Sequence, residues 1–122
     1  MAESLKIYFL IANRIYIADA IRSTLGQAIE NHYSHACIFY NKMPRLTEYV
    51  KENIDWIRDM EGDVLCVVDT IQDEEAKKYN LEEAGLTAIT LEELAQKLKE
   101  ADIIIGYGMP LQKHAPPPAC AD

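Results

Sequence analysis

The chain has 122 residues, of which 49% are hydrophobic and 26% are charged, and its formal net charge is −8. This length suffices for one domain with a single core, and the composition is typical of a soluble globular protein. The net negative charge argues against nucleic acid and against an anionic membrane surface as partners, since both require clustered lysine and arginine.

The amino-terminal region and the cysteines favour a cytoplasmic location. The apolar segment Leu5–Ala12 is far too short to span a membrane, and Glu3 precedes it in place of a basic signal-peptide region. The three cysteines are an odd number and lack the spacing of a disulfide framework, which favours a reducing compartment. We therefore expect a cytoplasmic protein that is not inserted in a membrane.

The first half of the chain predicts two strands and two helices. The continuous apolar run Leu5–Ala12 predicts a buried strand, and His35–Asn41 predicts a second one. The helix between these strands has apolar residues at helical spacing: Ile17, Ile21, Leu25 and Ala28. The second helix has Pro44 in its first turn and Gly62 at its exit. Its apolar side is predicted to consist of Leu46, Tyr49, Val50, Asn53, Ile54 and Ile57.

The second half predicts three more strands. Residues 63–69 read as a third strand, followed by a short acidic helix through about Tyr79, and residues 86–89 read as a brief fourth strand. Thr90 and Glu93 have capping-box spacing at the start of a further helix. That helix is predicted to bury Leu91, Leu94, Ala95 and Leu98, and residues 102–108 read as the fifth strand.

This alternation predicts an α/β fold. We expect a single-domain, flavodoxin-like arrangement with a five-stranded, mostly parallel sheet and helices on both faces. In the flavodoxin strand order 2-1-3-4-5, the connections reverse direction between the first and third strands. The domain is predicted to cover residues 1–108, and residues 109–122, which hold four of the five prolines, are predicted to form a flexible tail.

Ligands of open α/β sheets bind beyond the carboxyl ends of the strands, at the reversal. The candidate ligand-binding residues are therefore those that follow the strands in the expected order: Asn13, Arg14, Asn41, Asp69 and Thr70. A phosphate cradle is disfavoured because the turn after the first strand has no glycine and residues 73–75 are acidic. A phosphoacceptor site is disfavoured because no acids follow the first strand and no lysine ends the fifth. We assign no catalytic residue.

The sequence also contains residue types that serve in metal sites and in thiol chemistry. His32, His35 and Cys37 are metal-ligand residue types, but they span a helix end and a strand start, so we assign no metal and no cofactor. Cys37 and Cys66 are predicted to be buried in strands. Cys120, in the proline-rich tail, is the candidate for a mobile carrier thiol.

Three segments resemble the DsrE/DsrF/DsrH family of sulfur-relay proteins, which includes the Tus subunits: "KIYFLIA", "GDVLCVVDT" and "KKYNLEEAGLTAITLEELAQKLKEADIIIGYG". The resemblance covers about residues 5–108 and implies a flavodoxin-like fold whose subunits form homo- or hetero-oligomers. In catalytic members a cysteine just beyond the third strand carries a persulfide. The matching position here falls at Thr70–Gln72, where there is no cysteine.

The resemblance therefore implies a non-catalytic subunit of sulfur relay or redox metabolism, which acts by oligomerisation and by binding a partner or a small ligand. Two alternatives stay open at this point. One is a sulfur or thiol carrier that uses Cys120, and the other is a small-molecule or metal-binding module at the reversal between the first and third strands.

Overall fold

The computed structural model describes residues 4–108. The predicted tail, including Cys120, lies outside these residues. The strands are β1 (Lys6–Ile11), β2 (Tyr33–Ile38), β3 (Asp63–Val67), β4 (Thr87–Ile89) and β5 (Ile103–Tyr107). The α-helices are α1 (Ile17–Ile29), α2 (Glu48–Asp59), α3 (Glu74–Lys78) and α4 (Leu91–Leu98). Short 3-10 turns span Arg14–Tyr16 and Val68–Thr70, and a π-helical turn spans Tyr79–Glu83.

The five strands form one sheet in which every neighbouring pair is parallel. The predicted fold class, a single-domain α/β fold with a five-stranded parallel sheet and helices on both faces, is confirmed. The expected strand order is wrong: the strands lie in the order β4-β3-β2-β1-β5. The first three connections each lead to the neighbouring strand in the same direction across the sheet. The connection through α4 runs back across the sheet and places β5 beside β1.

This order places three helices on one face of the sheet and one on the other, because parallel connections are right-handed. The packing agrees. On one face, residues of α1 and α2 pack on the strands, in a cluster that includes Ile11, Ile17, Ile21, Leu25, Ile38, Ile54, Ile57, Val64 and Cys66. The other face is covered by α4, in a cluster formed by Tyr8, Ala12, Cys37, Phe39, Leu65, Val67, Ile89 and Leu94.

The apolar spacing predicted the buried side of α1 correctly, but the ends of α2 were wrong. The helix begins after Thr47, whose side chain accepts a hydrogen bond from the Val50 amide at 3.2 Å, so Pro44 precedes the helix. Tyr49 is 56% exposed and does not belong to the buried side. At the other end Glu61, one residue before the predicted exit at Gly62, adopts the left-handed conformation that often ends a helix, with φ 67°. Gly62 instead packs against the carbonyl of Ser34 in β2.

The capping box of α4 is confirmed, since the Thr90 hydroxyl accepts from the Glu93 amide and the Glu93 carboxylate accepts from the Thr90 amide. Leu94 is fully buried, but Leu91 and Ala95 are exposed, contrary to expectation. The predicted fifth strand is present, but it is not buried. Its residues Ile103, Ile104 and Ile105 are exposed, and β5 lies at an edge of the sheet.

None of the helices within residues 4–108 combines the length and apolar character needed to cross a membrane.

Candidate functional site

The carboxyl edge of the sheet, meaning the loops that follow the strands, holds all five predicted ligand-binding residues. The strand order spreads them along this edge instead of gathering them around one crevice. Because β2 lies between β1 and β3, the turn with Asn13 and Arg14 is separated from Asp69 and Thr70 by the loop that contains Asn41. The expected reversal between the first and third strands therefore does not exist.

Asn13 and Asn41 hold the backbone of this edge in place. The Asn13 side chain accepts a hydrogen bond from the Ile15 amide at 3.1 Å and caps the turn that contains Arg14. The buried Asn41 side chain donates to the carbonyls of Ala12 (3.0 Å) and Phe39 (2.8 Å). These bonds join the ends of β1 and β2, and they give both asparagines a structural role.

Thr70 joins the next pair of strands. Its hydroxyl accepts from the Tyr40 amide at 3.1 Å and donates to the Val67 carbonyl at 2.7 Å. Tyr40 has φ 65°, an uncommon conformation for a bulky residue. Asp69, beside Thr70, is exposed. Thr70 is the first of the three positions, 70–72, that the resemblance matches to a persulfide cysteine, and its hydroxyl is engaged with the backbone.

Asn80 is the buried polar residue that sequence reasoning missed at this edge. It lies in the π-helical turn after α3, is fully buried, and its side-chain oxygen accepts from the Met43 amide at 2.7 Å. Its side-chain nitrogen donates to the carbonyl of Asn41 at 3.0 Å. The sequence offered little signal, because an asparagine beside acidic residues usually predicts an exposed position.

The actual reversal of the sheet lies between β3 and β4, since the connection after β3 enters the three-helix face and the connection after β4 enters the face of α4. Asp69 and Glu93 approach each other there. Hydrogen bonds from the backbone and then the side chain of Thr90 lower the pKa of Glu93, and the charge of Asp69 opposes that shift. This crevice is anionic, so it disfavours a phosphate ligand.

The two described cysteines are buried as predicted, and both are poor nucleophiles. Burial, together with the charge of Asp63, raises the pKa of the Cys37 thiol to about 12. Burial also raises the pKa of Cys66, although a hydrogen bond from Asn80 at 3.7 Å partly offsets the effect. Thiolate formation is therefore disfavoured at both positions near neutral pH.

His32 and His35, two of the residues of metal-ligand type, lie in different environments. His32 Nδ1 accepts a hydrogen bond from the Leu5 amide at 3.0 Å. His35 lies on the same face of β2 as Cys37, with its ring centroid 4.6 Å from that of Tyr8. Burial lowers the pKa of His35, and its Nδ1 is buried without a hydrogen-bond partner. Within residues 4–108 no three residues of metal-ligand type are grouped to hold an ion.

An open depression of about 350 Å³ lies beside His35 on the α4 face of the sheet. Its charged lining residues are Glu61, Asp63, Glu93 and Lys97. Three carboxylates face one ammonium group, so the depression favours a cationic or neutral molecule over an anion. It lies away from the predicted ligand-binding residues, none of which lines it.

No protein-family model, no curated protein and no solved structure matches this chain. The resemblance to the DsrE family therefore rests on the segments quoted above.

Proposed function

We propose that this chain is a non-catalytic, DsrE-like subunit of cytoplasmic sulfur relay or redox metabolism, which acts by assembling with itself or with related subunits and by binding a partner or small ligand. The turn after β3 is the observation that supports a non-catalytic role. None of residues 70–72, which the resemblance matches to the persulfide cysteine, is a cysteine, and the hydroxyl of Thr70 bonds both the Tyr40 amide and the Val67 carbonyl.

The burial of the neighbouring thiol supports the same conclusion. Cys66 lies in β3, before the turn, and is 0% exposed. To receive sulfur it would have to leave the apolar cluster between the sheet and its helices. A displaced nucleophile should instead be accessible and have a lowered pKa, and Cys66 has the opposite properties.

The carboxyl edge gives less support to a dedicated small-molecule site. The side chains of Asn13, Asn41 and Thr70 bond the surrounding backbone. A ligand that recruits them has to compete with these internal bonds, three of which lie in buried or half-buried surroundings. Binding through a surface formed by the assembled subunits would leave these internal hydrogen bonds intact.

Sulfur loading, mapped residue by residue, tests this proposal. The native full chain is incubated with inorganic polysulfide as sulfane-sulfur donor, alkylated, digested and analysed by mass spectrometry, with the Cys120→Ser variant as the matched control. We expect Cys37 and Cys66 to remain unmodified until urea is added. A persulfide on Cys66 in the native protein would contradict the proposal.

The same experiment separates the carrier alternative. Stoichiometric persulfide on Cys120 that passes to a second thiol, and whose transfer is lost in Cys120→Ser, would replace the non-catalytic proposal with that of a carrier. Equal transfer by the wild type and the variant supports the non-catalytic proposal.

A further inference from the structure

The outer edge of β5 combines features that natural sheets usually avoid. β5 pairs with β1 on one side, and no other strand within residues 4–108 pairs with its second side. Ile103, Ile104 and Ile105 are 39%, 49% and 37% exposed. Successive side chains of a strand point to opposite faces, so apolar surface is exposed on both faces of the sheet.

Exposed edge strands are usually protected by short length, charged side chains or proline. The opposite edge strand, β4, follows this rule because it has only three residues. β5 has five residues, IIIGY, and contains neither a charge nor a proline. Within residues 4–108, this edge therefore lacks the features that keep an edge strand from pairing with another strand.

The backbone of β5 offers a self-complementary pattern of hydrogen-bonding groups. The Tyr107 carbonyl accepts from the Ala12 amide of the loop after β1, so the odd-numbered residues of β5 direct their polar groups towards β1. Asp102, which precedes the strand, departs from this alternation because its amide donates to the Lys6 carbonyl. Within the strand, the amides and carbonyls of Ile104 and Gly106 therefore face outwards. In an antiparallel pair centred on Ile105, Ile104 of one strand lies opposite Gly106 of the other, and each such pair exchanges two hydrogen bonds.

We propose that β5 pairs antiparallel with β5 of a second copy of this chain, in the register centred on Ile105, so that the two sheets become one. This inference rests on the proposed function, because it names the surface through which the subunit assembles. The side chains fit the register. Ile104 lies beside the partner's Gly106, which leaves space for it, and the two copies of Ile105 meet on the other face.

The charges also fit. Asp102 is the acidic residue next to β5, and in this register it lies opposite Gly108 of the other copy. The Asp102 carboxylate accepts a hydrogen bond from the Lys6 amide of its own chain at 2.8 Å, so it is directed towards β1 and places no charge on the outer edge of β5. The two Asp102 residues are six positions apart along the ribbon, or about 20 Å. That distance exceeds the Debye length of about 8 Å at physiological salt, so their mutual repulsion is screened.

A cysteine cross-link tests the register in the full chain. In the Cys120→Ser background, Ile105→Cys places two thiols opposite each other at a separation suited to a disulfide. Ile103→Cys is the matched control, because its thiol lies opposite Tyr107 and about 13 Å along the ribbon from its own copy. We expect mild oxidation to give a disulfide-linked dimer with Ile105→Cys and little with Ile103→Cys. Equal cross-linking at both positions, or none at either, overturns the register.

Sedimentation velocity of the full chain tests the interface independently. We expect the wild type to form a concentration-dependent dimer and Ile104→Lys to weaken it by about tenfold or more, because a charge would enter the apolar edge. The control is Ile29→Lys, at an exposed isoleucine of α1, which should leave the dimer unchanged. A wild-type monomer at high concentration, or a dimer unaffected by Ile104→Lys, overturns the proposal. Since sulfur loading does not depend on either result, the proposed function is judged separately.

Discussion

The Asn80 side-chain oxygen accepts a hydrogen bond from the Met43 amide at 2.7 Å and thereby connects the π-helical turn after α3 to the loop after β2. The same side chain donates to the Asn41 carbonyl at 3.0 Å. All three residues are buried, so neither backbone group can exchange this partner for water. One side chain therefore satisfies two loop positions at the carboxyl edge.

Replacing Asn80 with alanine should be strongly destabilising. The Met43 amide loses its partner and the Asn41 carbonyl loses a donor, and each unsatisfied buried group costs about 1–3 kcal/mol. We expect the free energy of unfolding of Asn80→Ala, measured by urea denaturation, to fall by about 2–4 kcal/mol. The control is Glu83→Ala, an exposed position in the same π-helical turn, which should change stability by less than about 0.5 kcal/mol. Equal effects of the two variants would refute the role given to Asn80.

Two glycines should respond oppositely to alanine. A Cβ at Gly62 would collide with the Ser34 carbonyl and the Ile57 side chain, so Gly62→Ala should destabilise the protein by about 3 kcal/mol or more. A Cβ at Gly26, in the exposed side of α1, meets nothing within 4 Å. Gly26→Ala should therefore stabilise the helix by about 0.5–1 kcal/mol. Thermal unfolding of both variants checks the prediction, and a stable Gly62→Ala protein would show that β2 and α2 can move apart.

His35 should make stability depend on pH. Burial lowers its pKa below the ordinary value of 6.5, while Asp63 opposes and Lys97 adds to this shift. Between the folded and unfolded pKa values the unfolded chain binds more protons, so this contribution is fully present above pH 6.5 and is lost as the pH falls below it. We expect acidification to lower the unfolding free energy of the wild type more than that of His35→Gln.

Urea denaturation of both proteins between about pH 7.5 and 5 measures this difference, and the shared titration of the carboxylates largely cancels in the comparison. An NMR titration of the His35 ring gives its folded-state pKa directly. A pH-independent difference, or a ring pKa above 6.5, would show that burial does not control this histidine.

The local sequence predicted the elements well where apolar spacing or capping chemistry is strong. Ile17, Ile21 and Leu25 identified the buried side of α1, and Thr90 with Glu93 identified the start of α4. The start of α2 was misplaced because Pro44 suits a first turn but also suits the loop before Thr47, where it actually lies.

The strand order could not be read from the same patterns. An apolar strand such as β1 or β3 predicts burial, but it does not tell which strand is its neighbour. The predicted ligand-binding residues consequently reached the correct edge of the sheet but not a common crevice. Asn80 escaped prediction for a related reason, since its partners in the loop after β2 are 37 and 39 positions away along the chain.

The position of β5 also has a consequence for the order of folding. The other neighbouring strands follow one another along the chain, whereas β5 and β1 are brought together across a separation of about 96 residues, as in the bond between Lys6 and Asp102. Closing so long a loop has the highest entropic cost of any pairing in the sheet. Because the isoleucines of β5 stay exposed, the pairing buries little apolar surface to offset that cost. We expect β5 to join the sheet last and to detach from it first, so that the strand proposed to bind a second copy is itself held in place by that copy.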